Sequence, residues 1–135
     1  MNAHDVMLTK GIAYRKTVRQ LEAYLKPHQL SVAEWLCLGT VASGAHGGGK
    51  IASLLGVTKG MASRQLSELE SRGLVQEKLG KNDARSRTYK LSIAGEKLLH
   101  ESDLSATIGL KEWLGSIEPE HVRIYVRVLQ IVATL

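Results

Sequence analysis

The chain has 135 residues, and its 44% apolar composition is sufficient for one sizeable core but not for a second independent domain. A formal net charge of +5 favours acidic partners such as nucleic acid or an anionic membrane surface. Because it contains neither an apolar run of membrane-spanning length nor a signal-peptide pattern at its start, we expect a soluble, cytoplasmic protein.

The cysteine and histidine content argues against metal and disulfide chemistry. Cys37 is the single cysteine, so no intrachain disulfide can form. It lies among apolar residues, which predicts a buried thiol, with oxidant sensing as the alternative. The five histidines are scattered without the spacing of metal ligands. No metal and no cofactor are therefore expected.

The first predicted helix spans residues 5–26 and ends at Pro27. Small and apolar residues recur along it at steps of four and three, in a heptad-like seam: Met7, Gly11, Tyr14, Val18, Leu21 and Leu25. Such a seam is typical of a core helix within one subunit or of a helix shared with a second subunit.

A second helix is predicted to begin after Ser31, because Glu34 at the third position completes a capping box. Its expected buried face comprises Val32, Trp35, Leu36, Leu38 and Val41. The glycine-rich residues 43–49 predict a loop. A short helix over residues 50–55 and a turn at Gly56 then lead to Thr58, which is a suitable N-cap for the next helix.

The helix from Thr58 has two chemically different faces. Ala62, Leu66 and Leu69 fall on one side at the helical period. The other side is small and polar, with one long cation: Gly60, Ser63, Arg64, Ser67 and Ser71. A face of this kind can enter the major groove of duplex DNA without steric or electrostatic conflict. Gly73 is positioned to end the helix.

A β-hairpin with a basic tip is predicted next. Residues 74–79 form one strand, and Tyr89, Leu91 and Ile93 alternate with polar residues in the other. The connecting residues 80–87 are rich in turn formers and cations. Residues 58–93 hold eight basic and four acidic side chains, so +4 of the formal +5 lies here. This charge indicates either a nucleic-acid footprint or an ordinary solvated face.

Two helices are predicted after Ser92. The first reaches about Gly115 and carries an apolar series consisting of Ala94, Leu98, Leu104, Ile108, Trp113 and Leu114. The last begins at Glu118 and Pro119 and is apolar almost all round, with one stripe at Val122, Val126, Leu129 and Ala133 and another at Ile124, Val128, Ile131 and Leu135. In a soluble chain, such a helix is either the centre of the fold or an oligomer interface, and its terminal position favours the interface.

The segment KIASLLGVTKGMASRQLSELESRGLV, followed by KNDARSRTYKLSIAG, resembles the winged helix-turn-helix of the MarR family of bacterial transcription regulators. The resemblance implies a mainly α fold with a small β-hairpin wing. It divides a single domain over residues 1–135 into a winged helix-turn-helix at 31–93 and dimerisation helices at 5–26 and 94–135. The glycine run at residues 47–49 departs from the family pattern.

The resemblance also implies site residues and partners. Arg85 would enter the minor groove, and Asp83 would hold the wing arginines in place. The implied DNA-binding set is Thr58, Lys59, Gly60, Ser63, Arg64, Ser67, Lys81, Arg85 and Arg87. A homodimer would bind a palindromic duplex operator, often as a repressor, and a small lipophilic or phenolic effector would occupy a cleft.

Several alternatives remain open at the level of sequence. Tyr14, Tyr24 and Trp35 are candidates for the lining of an effector cleft, although core packing explains each equally well. The rival function is a winged-helix module that binds protein, but such a face should carry apolar anchors instead of serine, glycine and arginine. The sequence shows no convergent set of polar residues that would predict an enzyme.

Overall fold

The computed structural model describes residues 1–44, 47–79 and 87–135, which contain six α-helices and one two-stranded sheet. The elements in chain order are α1 (Ala3–Leu25), α2 (Val32–Ala42), α3 (Gly48–Leu55), α4 (Lys59–Ser71), β1 (Val75–Leu79), β2 (Arg87–Leu91), α5 (Ile93–Trp113) and α6 (Pro119–Val132). A short 3-10 turn at Lys26–His28 follows α1. The mainly α fold with a β-hairpin, predicted from sequence, is confirmed.

Side-chain caps determine where several of these helices begin. The Ser31 hydroxyl accepts a hydrogen bond from the Glu34 N–H at 3.0 Å, and the Glu34 carboxylate accepts one from the Ser31 N–H at 3.0 Å. This is the capping box predicted for α2. Thr58 and Ser92 cap α4 and α5 in the same way, through hydroxyls that accept from Met61 and Gly95.

The two strands pair antiparallel, with Val75 opposite Leu91. Two details of the predicted hairpin are wrong. Ile93 is not a strand residue: Ser92 caps the following helix, so Ile93 is its first residue and is 88% exposed. Arg87 lies within β2 instead of in the connecting loop.

The glycine run before the two-helix motif also has a defined place. Gly47 forms an isolated antiparallel bridge with Thr88 and is the N-cap of α3. Consequently α3 begins at Gly48, two residues earlier than predicted, and the predicted loop is shorter. The departure from the family pattern therefore coincides with the place where this segment meets the sheet.

The core lies between α2, α3, α4, the sheet, α5 and the second half of α1. Its fully buried members include Leu25, Cys37, Leu38, Val41, Ile51, Leu66, Leu69 and Val75. One prediction for α2 is wrong, because Leu36 is 44% exposed and lies outside this core.

The long helix α5 packs through small residues. Its buried positions are Gly95, Ser102, Ala106 and Gly109, whereas Leu104 and Ile108 of the predicted apolar series are exposed. Gly109 permits this close packing, since a Cβ there would lie 2.6 Å from the Tyr24 ring of α1. Because the helices approach so closely, small residues fill the contact and the large ones point away.

Many apolar side chains on the two terminal helices are exposed to solvent. We call these side chains the terminal surface and define it by Val6, Met7, Leu8 and Ile12 of α1 and by Ile124, Val126, Val128, Leu129, Ile131 and Val132 of α6. No residue of α6 is buried. The predicted seam of α1 is therefore divided, since Leu25 is in the core and Met7 is 64% exposed. Within the described ranges, every helix falls short of the length and hydropathy needed to cross a membrane.

Candidate nucleic-acid interface

Helices α3 and α4 form a two-helix motif joined by a tight turn. Gly56 adopts a left-handed conformation (φ = 69°), and the Val57 N–H donates to the Ala52 carbonyl oxygen at 3.0 Å. Close approach of the two helices does not explain this glycine, because a Cβ at Gly56 would meet nothing within 4 Å. The backbone conformation requires glycine instead.

Helix α4 is anchored by one face. Ala62, Leu66 and Leu69 are buried in the core, as predicted, and the Thr58 hydroxyl accepts from the Met61 N–H at 3.1 Å. Gly73 (φ = 73°) ends the helix, also as predicted. Helix α4 is therefore capped at its N-terminus. Three buried apolar side chains set its orientation in the fold.

The opposite face of α4 is exposed and carries the predicted contact residues: Thr58, Lys59, Gly60, Ser63, Arg64 and Ser67. Among the residues that the structure describes, the Arg64 side chain has no ion-pair or hydrogen-bond partner. A Cβ at Gly60 would make one ordinary van der Waals contact, 3.9 Å from the Thr58 hydroxyl oxygen. The face is thus shallow, and its long guanidinium is available to a ligand.

An ion pair ties the far end of α4 to the start of α2. Arg72 Nη1 donates to Glu34 Oε2 at 2.8 Å, and both side chains are largely shielded from solvent. Burial acts to raise the pKa of Glu34, but hydrogen bonds from Ser31 and the Arg72 guanidinium outweigh it and hold that pKa below its ordinary value of 4.5. Glu34 therefore remains ionised near neutral pH and fixes α4 against α2.

Of the residues predicted to bind DNA through the wing, the structure describes Arg87. The Arg87 guanidinium pairs across the strands with Glu77 (Nε to Oε1, 3.0 Å) and remains 58% exposed. Beside it, Tyr89 is buried, and burial together with the Glu77 carboxylate raises its pKa. Lys81, Asp83 and Arg85 lie outside the described residues.

An open cavity of about 860 Å³ lies between α1, α2 and the two-helix motif. It is lined by Tyr14, Val18, Glu22, Ser31, Val32, Ala33, Glu34, Leu36, Leu55, Val57, Met61, Arg64, Gln65 and Glu68. Of the three aromatic candidates, Tyr14 lines it, whereas Tyr24 packs on Gly109 and the Trp35 Nε1–H donates to Asp103 at 2.6 Å.

The sequence interpretation missed the side of α4 that borders this cavity. Met61, Arg64, Gln65 and Glu68 have the i, i+3, i+4, i+7 spacing of one helical face. The spacing itself can be found in the sequence. These four side chains, however, differ in polarity, so no hydrophobic or charge pattern marks them as one face. Arg64 belongs to both faces, since it stands at the border between the exposed face and the cavity.

Cys37 is fully buried, and burial raises the pKa of its thiol to about 11. The thiol is therefore protonated at neutral pH, which does not suit a redox sensor. Within the described ranges, no three histidine, cysteine or acidic side chains are grouped as metal ligands would be.

Comparisons with known proteins agree with this geometry. Residues 30–86 match the model of the MarR family. A transcriptional regulator of the MarR family from Rhodococcus sp. RHA1 is 19% identical, with a TM-score of 0.89 over 98% of this chain and 95% of that one. A mutant of MarR from E. coli complexed with operator DNA is 22% identical, with a TM-score of 0.81 over 98% of this chain and 99% of that one.

A third structure with the same fold contains a small molecule. CouR from Rhodococcus jostii RHA1, bound to p-coumaroyl-CoA, is 21% identical, with a TM-score of 0.81 over 96% of this chain and 92% of that one. Among curated proteins, no sequence matches the chain. At these identities the solved structures establish the fold of the chain.

Proposed function

Because residues 30–86 match the model of the MarR family, we propose that this chain is a homodimeric, winged helix-turn-helix transcription regulator that binds duplex DNA in a sequence-specific and ligand-responsive way. The observation that carries the proposal is the exposed face of α4. It is small, polar and basic, and it is held by a helix whose other side is locked into the core. A face of this kind suits a recognition helix that enters a groove of duplex DNA.

Arg64 is the residue that we assign to base reading. Its guanidinium has no partner among the described side chains, and its small neighbours Gly60, Ser63 and Ser67 allow close approach to a groove. Those neighbours offer no strong bidentate contact of their own. Arginine pairs bidentately with the O6 and N7 atoms of guanine, so Arg64 is the best source of specificity on this face, with Thr58 and Lys59 on phosphates.

The wing supplies phosphate and minor-groove contacts in this proposal. Lys81 and Arg85 would act there, with Asp83 orienting the arginines. Arg87 would join them, and its partial exposure beside Glu77 leaves its guanidinium accessible to a phosphate. In this arrangement residues 31–93 bind DNA and residues 5–26 and 94–135 bring two copies together.

The terminal surface supports the dimer. Exposed apolar side chains of this number are unfavourable in water, and a second copy of the same surface would bury them across a two-fold axis. Two recognition helices related by such an axis would bind the two halves of a palindromic operator. Repression follows if that operator overlaps a promoter.

Selection of bound duplexes from a random-sequence pool tests the proposal. We expect wild type to enrich a palindrome, and Arg64→Ala to lose ~1–3 kcal/mol on it and to relax preference at one base pair in each half-site. Arg19→Ala, which removes an exposed arginine from α1, is the control and should retain the wild-type preference.

The outcomes distinguish base reading by Arg64, phosphate binding by Arg64 and a protein-binding function. If Arg64→Ala loses the same affinity for every duplex sequence, Arg64 contacts phosphate instead of bases. Failure of the wild type to bind any duplex would refute the proposal and favour the protein-binding module.

A salt titration tests the wing. Arg85→Ala should weaken duplex binding, keep the fold, and reduce the slope of log K against log salt by about one unit. An unchanged slope would remove Arg85 from the interface.

For the effector, we propose the cavity that α4 shares with α1 and α2. CouR, which has the same fold, is bound to p-coumaroyl-CoA, and the volume of the cavity lies in the range of small-molecule sites. A molecule in this cavity would contact the same helix that we assign to DNA reading.

A further inference from the structure

The cavity bordered by α1, α2 and α4 combines an apolar wall with an acidic rim. From this combination we propose that it binds an apolar molecule bearing a protonated amine, in preference to an aromatic acid. The inference deepens the proposed function, on which it rests, by naming the chemical class of the effector.

The apolar wall defines the body of the ligand. It is formed by Val18, Val32, Leu36, Leu55, Val57 and Met61. Leu36 and Met61 are 44% and 47% exposed, so a ligand would remove their apolar surface from water. Tyr14, on the α1 side, offers an aromatic face on which an ammonium is favourable.

The charges of the rim define the head group. Glu22, Glu34 and Glu68 line the cavity together with one cation, Arg64. Glu34 already holds Arg72, whereas Glu22 and Glu68 have no ion-pair partner among the described residues. Two free carboxylates therefore face one free guanidinium, and the excess negative charge favours a cation and disfavours a carboxylate.

A buried acceptor points to the same head group. The Gln65 side chain lines the cavity, and its Oε1 atom, which is shielded from solvent, has no hydrogen-bond partner in the part of the chain that the structure describes. A buried carbonyl oxygen without a donor is unfavourable. A rotation of the Gln65 side chain would let an ammonium N–H in the cavity donate to this oxygen, whereas a carboxylate ligand has no hydrogen to donate.

Three probes that share one body and differ in the head group test this preference. We would titrate phenylbutylamine, phenylbutanol and phenylbutanoate into the full chain without DNA, at neutral pH and low salt, by calorimetry. The amine should bind about tenfold or more tightly than the carboxylate, a difference of roughly 1.4 kcal/mol, with the alcohol between them.

Variants locate the preference within the cavity. Glu68→Gln should reduce the difference between amine and carboxylate severalfold. Gln65→Met, which keeps the shape but removes the acceptor, should weaken the amine and the alcohol and leave the carboxylate unchanged. Glu70→Gln removes a carboxylate from an exposed position of α4 that does not line the cavity, and should change nothing. Thermal unfolding of each variant confirms that it is folded.

The inference is overturned if the carboxylate binds as tightly as the amine, or if no probe binds with a dissociation constant below about 10 mM. It is also overturned if Glu70→Gln acts like Glu68→Gln, because bulk charge would then explain the preference. Duplex selection is independent of these titrations: a chain that binds the amine but no duplex would contradict the proposed function, and the reverse would contradict this inference.

Discussion

The apolar side chains in the centre of the chain and those at its two ends differ in their exposure to solvent. In the centre, Leu25, Leu38 and Leu69 are fully buried by their own chain. At the ends, the terminal surface on α1 and α6 keeps Met7 and Leu129 open, although these side chains are equally apolar. Burial in the chain alone thus stabilises the centre, whereas we infer that the ends are stabilised by association. Stability of the centre should be independent of protein concentration, and that of the ends should depend on it.

The largest effect is expected from a charge in the terminal surface. Leu129→Glu should abolish the dimer at micromolar concentration and yield monomer or insoluble protein, because an unpaired charge is strongly unfavourable in an apolar interface. Sedimentation velocity measures this. Gln130→Glu adds the same charge at the next residue, outside both apolar stripes, and should remain dimeric. If the wild type sediments as a monomer, the inference that association stabilises the terminal helices is wrong.

A cavity in the centre should act differently. Leu38→Ala deletes a fully buried side chain and should lower the free energy of unfolding by about 2–5 kcal/mol. Denaturation at two protein concentrations is the measurement, and the loss should be the same at both. A loss that varied with concentration would show that the centre also depends on association.

A pair of glycines sharpens the contrast between packed and open positions. In Gly95→Ala, the new Cβ would overlap the Leu74 carbonyl oxygen, so we expect a loss of about 1–3 kcal/mol from overpacking. Gly60→Ala places its Cβ on the exposed face of α4, where it meets no close contact, and should stabilise the chain by up to about 1 kcal/mol. Thermal unfolding compares the two, and equal effects would contradict the close contact at Gly95.

The smallest effect concerns the Glu34–Arg72 pair. The pKa of Glu34 is lowered in the folded state, so the stability that it contributes is present above its ordinary pKa of 4.5 and is lost as pH falls through the lower folded value. Glu34→Gln should therefore cost about 1 kcal/mol at neutral pH and progressively less below pH 4.5. Urea unfolding at several pH values measures this, with Glu70→Gln as the control for a lost charge. A cost that does not change with pH would contradict the role of the pair.

Local chemistry made much of this fold predictable. The capping box at Ser31, the cap at Thr58 and the ends at Gly56 and Gly73 are signals within a few residues, and the structure has each of them. The two-strand hairpin was predicted for the same reason. Its boundary at Ile93 was not, because period-two alternation continued one step into a helix that Ser92 had already capped.

Features that depend on residues distant in the sequence were harder to predict. The closeness of α1 to α5 decides that Gly109, not Ile108, is buried, and no local pattern in α5 reveals the Tyr24 ring. For the candidate site, the exposed face of α4 followed from helical periodicity. The cavity did not, because its walls come from α1, α2 and α4, and Gln65 has a distinct role only where these helices meet.

Ser92 connects two chain segments, the exit of α4 and the start of α5, through one small residue. Its N–H donates to Leu74, its hydroxyl donates to Gly73 at 2.6 Å, and the same hydroxyl accepts from Gly95. These three hydrogen bonds of Ser92 link the exit of α4 to the entry of α5, so we expect a tilt of one helix to be passed to the other. In a pair of copies, α5 would then act as a lever arm, and the separation of the two recognition helices would follow its angle.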